Sequence, residues 1–259
     1  MESEPLFVPD GPRFLPTELT RGPWSPDGLH GGAVAALAAR VLEQAADGDG
    51  LQMVRFSLEL LTSVPVAPLA VSIQPVRPGR RISVTDVTIE ADGRPVALAR
   101  GVRIRTTPTG VSTAAEAPPE FPENPVPPVH ITDGYRAFHN GAVEFRFVRG
   151  AFNELGPAVV WFALVAPVLP GEDPSPWVRA VAAADFANGV SGELDFTRHL
   201  FVNTDLTVSL FRPPEGPWVC LEAATRLGTP GIGTSETTLW DRGGRIGTSL
   251  QSLYREERP

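Results

Sequence analysis

The hydrophobic pattern near the start of the chain predicts one long, buried helix. Within residues 28–50, apolar positions recur at spacings of three and four residues, at Val34, Leu37, Ala38, Val41 and Leu42. This spacing is typical of a helix whose apolar stripe faces a core. The opposite face carries almost no charge, so we expect other parts of the chain to wrap the helix on most sides. Asp47 and Gly48 predict where it ends.

Strands follow the helix in a regular series. Apolar, β-branched segments predict four of them, at 54–61, 69–76, 82–90 and 95–105. Asp92 and Gly93 predict a hairpin turn between the last two. One long helix with a curled antiparallel sheet is an α+β pair of layers.

The same order of elements returns after a Pro-rich stretch. Residues 106–129 lack periodicity and are rich in proline and small residues, which is typical of a linker. Ser175 then predicts the N-cap of a second helix, with Pro176 at its first position. Further strands are predicted at 205–211, 218–227, 234–240 and 245–255.

The two halves also match in their turn residues. A constant offset pairs identical residues without a gap, among them Arg77 with Arg226, Gly79 with Gly228 and Asp92 with Asp241. Matched turns together with a matched order of elements indicate a duplicated domain. We therefore predict two copies of one helix-in-sheet domain, at 1–106 and 141–259, joined by a Pro-rich linker at 107–140.

Positions where the copies differ are candidates for chemistry. Asp185 falls on the apolar stripe of the second helix, where an unpaired carboxylate is costly. Gln251 lies in the last strand and aligns with Arg100 of the first copy. Polar side chains also gather where one strand begins, at Asn203, Thr204 and Asp205. Carboxylate, amide and hydroxyl groups of this kind can orient a water molecule.

The start of the first helix is a further candidate. His30, Gly31 and Gly32 directly precede the apolar stripe, and free N–H groups at a helix N-terminus can bind a negatively charged oxygen. A basic turn could likewise bind phosphates, at Arg77, Arg80 and Arg81.

Each candidate also has an ordinary structural interpretation. His30 and the two glycines can simply allow close packing where a helix begins. Asp185 lies near a helix end, where a solvated aspartate is common. Gln251 can be a half-buried strand residue, and Asn203 and Thr204 a turn before a strand. The arginine turn can be merely solvated, so the residues alone leave both interpretations open.

Composition narrows the classes of function. With 42% hydrophobic and 20% charged residues the chain is globular, and its net charge of −8 argues against a general nucleic-acid binder. Cys220 is the single cysteine, and the four histidines lack ligand spacing, so we expect no metal. Without an apolar run of about 18 residues or a secretion signal, we expect a cytoplasmic protein that does not enter a membrane.

The usual nucleophile and nucleotide motifs are missing. No G-x-S-x-G sequence occurs, because the segment GVSGE lacks the final glycine. No Rossmann or P-loop glycine pattern occurs either. The sequence therefore disfavours covalent hydrolysis through serine or cysteine.

Four short motifs, in this order, resemble the double-hotdog acyl-CoA thioesterases, a thioesterase II-like group. They are the glycine pair that opens the first helix, the acid in AAADFANG, the strand NTDLTVSLFRPP and the glutamine in GTSLQSLYR. The resemblance spans nearly the whole chain apart from the linker. It implies a tandem hotdog fold of the α+β class, in which two long helices are each wrapped by a curved antiparallel sheet.

The resemblance also implies hydrolysis of an acyl-CoA-type thioester. In that family an Asp, a Thr or Ser, and a Gln hold the hydrolytic water, which assigns the acid to Asp185 and the amide to Gln251. The hydroxyl position carries Asn203, with Thr204 beside it, so this sequence departs from the family there.

The first copy would then bind the substrate. The glycine pair matches Gly31 and Gly32, whose N–H groups would polarise the thioester carbonyl. Other substrate contacts are expected from His30, Arg77, Arg80 and Arg81. The expected partner is a small-molecule acyl thioester, with coenzyme A as part of the substrate and no separate cofactor.

Two alternatives stay open. The fold could bind an acyl group without catalysis, which Asn203 at the hydroxyl position makes credible. A hydratase or dehydratase with His30 as base ranks lower, because an Asp-x-Asn-x-x-His run is absent.

The duplication also predicts how the two copies assemble. The two sheets should join edge to edge, with Gly31 and Asp185 lining one cavity between the helices. A homo-oligomer is then optional, because the essential pairing is internal.

Overall fold

The computed structural model describes residues 4–45, 50–108, 110, 116–124 and 134–258. Its helices are α1 (Gly31–Gln44), α2 (Pro176–Ala184) and α3 (Ala187–Val190). The strands of the first half are β1 (Phe7–Asp10), β2 (Arg13–Pro16), β3 (Leu51–Leu60), β4 (Leu69–Arg77), β5 (Ile82–Ala91) and β6 (Arg94–Arg105). Those of the second half are β7 (Val143–Arg149), β8 (Ala158–Leu164), β9 (His199–Asn203), β10 (Asp205–Leu210), β11 (Trp218–Leu227), β12 (Ile232–Asp241) and β13 (Gly244–Glu257).

Helix α1 is the helix that the hydrophobic stripe predicts. Its N-cap is His30, whose backbone is extended at φ −70° and ψ 134°. All residues from 33 to 39 have an exposed fraction of 0%. The near absence of charge around the helix is explained by this burial. The predicted end at Asp47 and Gly48 lies outside the described residues.

The strands of the described residues form one continuous antiparallel sheet. Its order is β1-β2-β4-β5-β6-β3-β10-β13-β12-β11-β8-β7, and β9 pairs with β13 outside this path. The halves meet where β3 pairs with β10, with Leu58 opposite Leu206. The predicted edge-to-edge junction is confirmed, and each half covers the open strand edge of the other. Helices α1 and α2 pack against each other.

The second helix differs from the first. It begins where the sequence predicts, because Ser175 Oγ accepts a hydrogen bond from Val178 N at 3.1 Å. It ends at Ala184, and the chain resumes as the single turn of α3. The long helix expected in each half is therefore found in α1, whereas the second helix is short and broken at Asp185 and Phe186.

Alternation and turn residues identify most of the sheet. The eight predicted strands are confirmed as β3 to β6 and β10 to β13, with ends that differ by a few residues. The sequence does not predict the other five. β8 is buried along its whole length and so lacks an alternating pattern, while β1, β2 and β9 are too short to show one.

The strand registers correct one counterpart, the alignment of Gln251 with Arg100, which assumes a longer turn near Gly243 and Gly244 in the second half. Ser235 lies opposite Gln251 on β12 and β13, as Thr85 lies opposite Gly101 on β5 and β6. Gln251 therefore corresponds to Gly101 and not to Arg100. The hairpin turns have the same length in both halves, because Asp241 lies opposite Gly244 as Ala91 lies opposite Arg94, so no longer turn shifts the register between them.

The described parts of the predicted linker pack against both halves. Phe121 contacts Trp161 and Trp218 with ring centroids 5.3 and 5.2 Å apart. The hydroxyl of Tyr135 donates to the Gly22 carbonyl at 3.0 Å. A π-helical turn then follows at Phe138–Ala142. Aromatic side chains within a Pro-rich sequence thus dock the segment onto the body of the fold.

Candidate active site

A cavity of about 1060 Å³ lies where the start of α1 meets the break between α2 and α3. We call it the central cavity. Gly31 from the first half and Asp185 from the second both line it, which confirms that the two residues share one cavity. Much of its remaining wall is apolar, including Leu29, Leu60, Val64, Phe152, Leu155, Leu194 and Leu200.

The carboxylate of Asp185 is the buried charge at the centre of this site. Asp185 is the C-cap of α2, and only 4% of its surface is exposed. Its Oδ1 accepts a hydrogen bond from Asn203 Nδ2 at 2.9 Å, and its Oδ2 lies 2.9 Å from His30 Nδ1. Partners of this kind offset the cost of burying the charge.

The same carboxylate lies against the N-terminus of α1. A Cβ atom added to Gly31 would lie 2.6 Å from Asp185 Oδ1, so any larger residue here would force the carboxylate to move. The positive end of the helix dipole favours a negative charge there. The N–H of Gly31 has no acceptor among the described residues, so it is a free donor at the cavity wall.

Gly32 has a different role from Gly31. It does not line the cavity, and its N–H points at His30 Nδ1 at 3.0 Å. A Cβ atom there would lie 2.8 Å from the ring of Phe138 and 3.1 Å from the Ala182 carbonyl oxygen. Gly32 therefore permits the close packing of α1 on α2, which is the structural interpretation of this glycine.

The ring of His30 is held between two aromatic side chains. Its centroid lies 4.9 Å from that of Phe138 and 4.6 Å from that of Phe186. His30 lines the cavity although only 9% of its surface is exposed. The ring is thus fixed in orientation, with Nδ1 toward Asp185.

Gln251 contacts the main chain around Asp185 and not its carboxylate. Its Nε2 donates to the Asp185 carbonyl oxygen, and its Oε1 accepts from Asn188 N, both at 3.2 Å. The side chain is fully buried and is not part of the cavity lining. The break between α2 and α3 leaves these two backbone groups without helical partners, and Gln251 satisfies both.

Asn203 and Thr204 lie side by side where β9 ends and β10 begins. Both line the cavity. The Asn203 amide reaches Asp185, whereas Thr204 Oγ1 makes long contacts to Asp205 Oδ1 at 3.3 Å and to the Ser252 carbonyl at 3.4 Å. Asn203 is therefore the residue of this pair that acts on the buried carboxylate.

The predicted phosphate-binding arginines lie elsewhere. Arg77, Arg80 and Arg81 are exposed on the turn between β4 and β5, and none of them lines the cavity. Arg81 O accepts from Arg105 N, which lies opposite Leu51 at one end of β3. The cavity is at the other end of β3, about 30 Å away at the usual rise per strand residue. The structure does not bring the three arginines together with Asp185.

The opposite end of the helix pair is closed by polar contacts. Arg40 on α1 forms a two-pronged ion pair with Glu172, at 2.5 Å for both bonds. Ser175, the N-cap of α2, donates to Glu43. Burial raises the pKa of Glu43, and the Ser175 hydrogen bond opposes that shift. At this end of the helix pair, side chains therefore occupy the place that corresponds to the cavity at the other end.

Sequence reasoning misses the aromatic wall of the cavity. Trp24 stacks on Phe196 at 4.7 Å and meets Phe201 edge-on at 5.3 Å. His139 also lines the cavity and is buried. Phe201 lies on the short strand β9, and the others come from loops and from the linker segment, so no periodic signal marks any of them.

Neither a metal-binding cluster nor a membrane-spanning helix is found in the described residues. Across those residues, no group of three or more His, Cys, Asp or Glu side chains is placed to hold a metal ion. No helix in the described part of the chain has the length and apolar character to cross a membrane.

Comparison with protein families gives two matches that together span most of the chain. Residues 20–104 match the model of the acyl-CoA thioesterase N-terminal domain. Residues 113–255 match that of the acyl-CoA thioesterase C-terminal domain. A search of curated proteins finds no significant match.

Solved structures show the same fold. A hot dog fold protein of unknown function from Alicyclobacillus acidocaldarius is 17% identical, with a TM-score of 0.75 over 98% of this chain and 96% of its own. A TesB protein from Mycobacterium avium subs paratuberculosis is 16% identical, with a TM-score of 0.67 over 98% and 96%. The acyl-CoA thioesterase II TesB2 from Mycobacterium marinum is 14% identical, with a TM-score of 0.64 over 88% and 90%. The predicted α+β tandem hotdog fold is confirmed.

Proposed function

The chain belongs to the acyl-CoA thioesterase family, and from that premise we propose that it hydrolyses an acyl-CoA-type thioester in the central cavity. One observation carries the proposal: the buried Asp185 carboxylate of one half lies against Gly31 at the helix start of the other. A fixed carboxylate beside a free helix N–H is the pair of groups that water attack on a carbonyl requires.

Each group has a distinct proposed role. The carboxylate of Asp185 orients the attacking water, and the amide of Asn203 fixes that carboxylate from the other side. The free N–H of Gly31 stabilises the negative charge that develops on the thioester oxygen. Gln251 acts from behind the site, because it holds the backbone on both sides of the helix break.

The apolar wall favours an acyl chain as the group that fills the cavity. Trp24, Phe196 and Phe201 form a continuous aromatic surface beside the polar groups. A cavity of about 1060 Å³ is at the upper end of the usual range for small-ligand sites. The proposed partner is thus an acyl thioester, with coenzyme A as part of the substrate and no separate cofactor.

The test is a thiol-release assay over short, medium and long acyl-CoAs. We expect turnover by the wild-type protein and a loss of kcat of at least ~100-fold in Asp185→Asn. The matched control is Asp92→Asn on the exposed turn between β5 and β6, where asparagine also tolerates the positive φ of 50°. Binding of acyl-CoA without any thiol release would instead favour the non-catalytic alternative.

A second candidate function is the addition of water to an enoyl thioester. The contact between His30 Nδ1 and Asp185 Oδ2 favours it, because an imidazole paired with a carboxylate can serve as acid and base in such a reaction. Loss of the enoyl absorbance without release of thiol would select this reaction. Thiol release from saturated acyl-CoAs would select hydrolysis.

A further inference from the structure

We propose that His30 is the general base of the reaction, with Nε2 taking the proton of the attacking water while Asp185 holds the ring by its Nδ1 proton. This inference rests on the proposed hydrolysis. It assigns to the helix N-cap a step that the family resemblance gives to no histidine.

Two contacts compete for one atom of His30. His30 Nδ1 lies 3.0 Å from Gly32 N and 2.9 Å from Asp185 Oδ2. A backbone N–H can only donate to this nitrogen, and an ionised carboxylate can only accept from it. A ring nitrogen cannot be donor and acceptor at once, so one of the two contacts sets the tautomer.

The surroundings of Asp185 decide in favour of the carboxylate. Its Oδ1 already accepts from Asn203, and the whole group lies at the positive end of the α1 dipole. A carboxylate oxygen held in this way offers an acceptor to a neighbouring donor. A carboxylate 2.9 Å from a lone pair would be repelled, so Nδ1 carries a proton and donates to Asp185.

The other ring nitrogen then faces the substrate. With the proton on Nδ1, the Nε2 atom of neutral His30 carries a lone pair. No described residue donates a hydrogen bond to Nε2. This atom is also not fully buried. Since His30 lines the central cavity, a water there can reach this lone pair.

The proposed steps balance in protons and electrons. The water oxygen bonds to the thioester carbon while one water proton moves to His30 Nε2, and the carbonyl electron pair moves to oxygen beside the Gly31 N–H. The resulting intermediate collapses, the carbon–sulfur bond breaks, and the sulfur leaves with that electron pair. The proton on Nε2 then passes to the sulfur, which leaves a carboxylic acid, a thiol and neutral His30.

The test separates proton transfer from helix capping. Asparagine is among the best N-cap residues, so His30→Asn supplies an acceptor for Gly32 N and removes the base. We expect kcat to fall by at least ~100-fold, with KM within about threefold, and a thermal melt reports separately the stability lost with the ring contacts to Phe138 and Phe186. The control is His199→Asn, since His199 lies outside the cavity lining, and it should keep kcat within about threefold.

A second variant gives a signature that a structural role would not produce. Glycine is also tolerated as an N-cap, so His30→Gly leaves a space in which added imidazole can act. Recovery of kcat that rises with imidazole concentration supports the proposal. His30→Asn with kcat within about threefold of wild type, or His30→Gly without any recovery, overturns it and leaves hydrolysis through Asp185 standing. Absence of thiol release by the wild type removes the proposed function and this inference together.

Discussion

Gly31 and Asp185 come from different halves of the chain, yet a single methyl group on Gly31 would lie 2.6 Å from Asp185 Oδ1. The contact exists because β3 pairs with β10 and brings the start of α1 onto the end of α2. One junction between two sheets thereby places an acid from one copy at the helix N-terminus of the other.

Gly31→Ala should therefore lower kcat with a smaller effect on folding. The added Cβ forces the Asp185 carboxylate away from the helix start, and a displacement of about 1 Å at a reacting group can cost ~100-fold in rate. Thiol release and a thermal melt measure the two effects. Gly189→Ala is the control for stability, because a Cβ there meets nothing within 4 Å. Wild-type kcat in Gly31→Ala would contradict the close fit.

Gln251→Leu should lose both stability and activity. It leaves the Asp185 carbonyl and the Asn188 N–H buried without partners, at a cost of about 2 kcal/mol each in the free energy of unfolding. The helix break that aims Asp185 then loosens, so kcat falls as well. Urea unfolding measures the first effect, with Ser252→Ala on the exposed face of the same strand as control. A loss of kcat without any loss of stability would mean that Gln251 acts on substrate or water directly.

A pair of near-isosteric variants tests the role of Asn203. Threonine restores the hydroxyl that the family resemblance implies at this position, whereas valine has nearly the same shape without a donor. A hydrogen bond to a charged group contributes about 1.5–3 kcal/mol, so Asn203→Thr should keep a kcat at least ~10-fold above that of Asn203→Val. Equal rates for the two variants would remove the donor to Asp185 from the mechanism.

Local sequence patterns predict the helix and the acid that form the site, because each pattern depends only on residues close together in the sequence. The stripe from Val34 to Leu42 predicts α1, and a carboxylate on the apolar stripe of the second helix singles out Asp185. The pairing of Asp185 with His30 has no local signal, because it depends on how two distant helices pack. The sequence therefore proposes both residues but not their contact.

Other features escape prediction for specific physical reasons. The break after Ala184 has neither proline nor glycine to mark it, so the backbone groups that Gln251 satisfies cannot be foreseen. The turn at Arg77 and Arg81 is basic enough to bind phosphate, but nothing in sequence says that it lies at the far end of β3.

The closed end of the helix pair gives a prediction for pH dependence. Burial raises the pKa of Glu43 above its ordinary value of 4.5. The folded state thus binds the carboxyl proton of Glu43 more tightly than the unfolded state does. The stability that Glu43 contributes is fully present below the ordinary pKa and is lost as pH rises through the raised one.

Glu43→Gln should therefore match the wild type in the free energy of unfolding near pH 4 and exceed it near pH 7. The amide keeps a partner for Ser175 and cannot ionise.

Glu172→Gln, at the same end, is the control of opposite sign. The hydrogen bond from Arg40 lowers the pKa of Glu172, so that variant should be less stable than the wild type near pH 7, with the difference vanishing as pH falls through the lowered pKa. Urea midpoints at several pH values measure both differences, and a Glu43→Gln difference that stays constant with pH would contradict the burial of this charge.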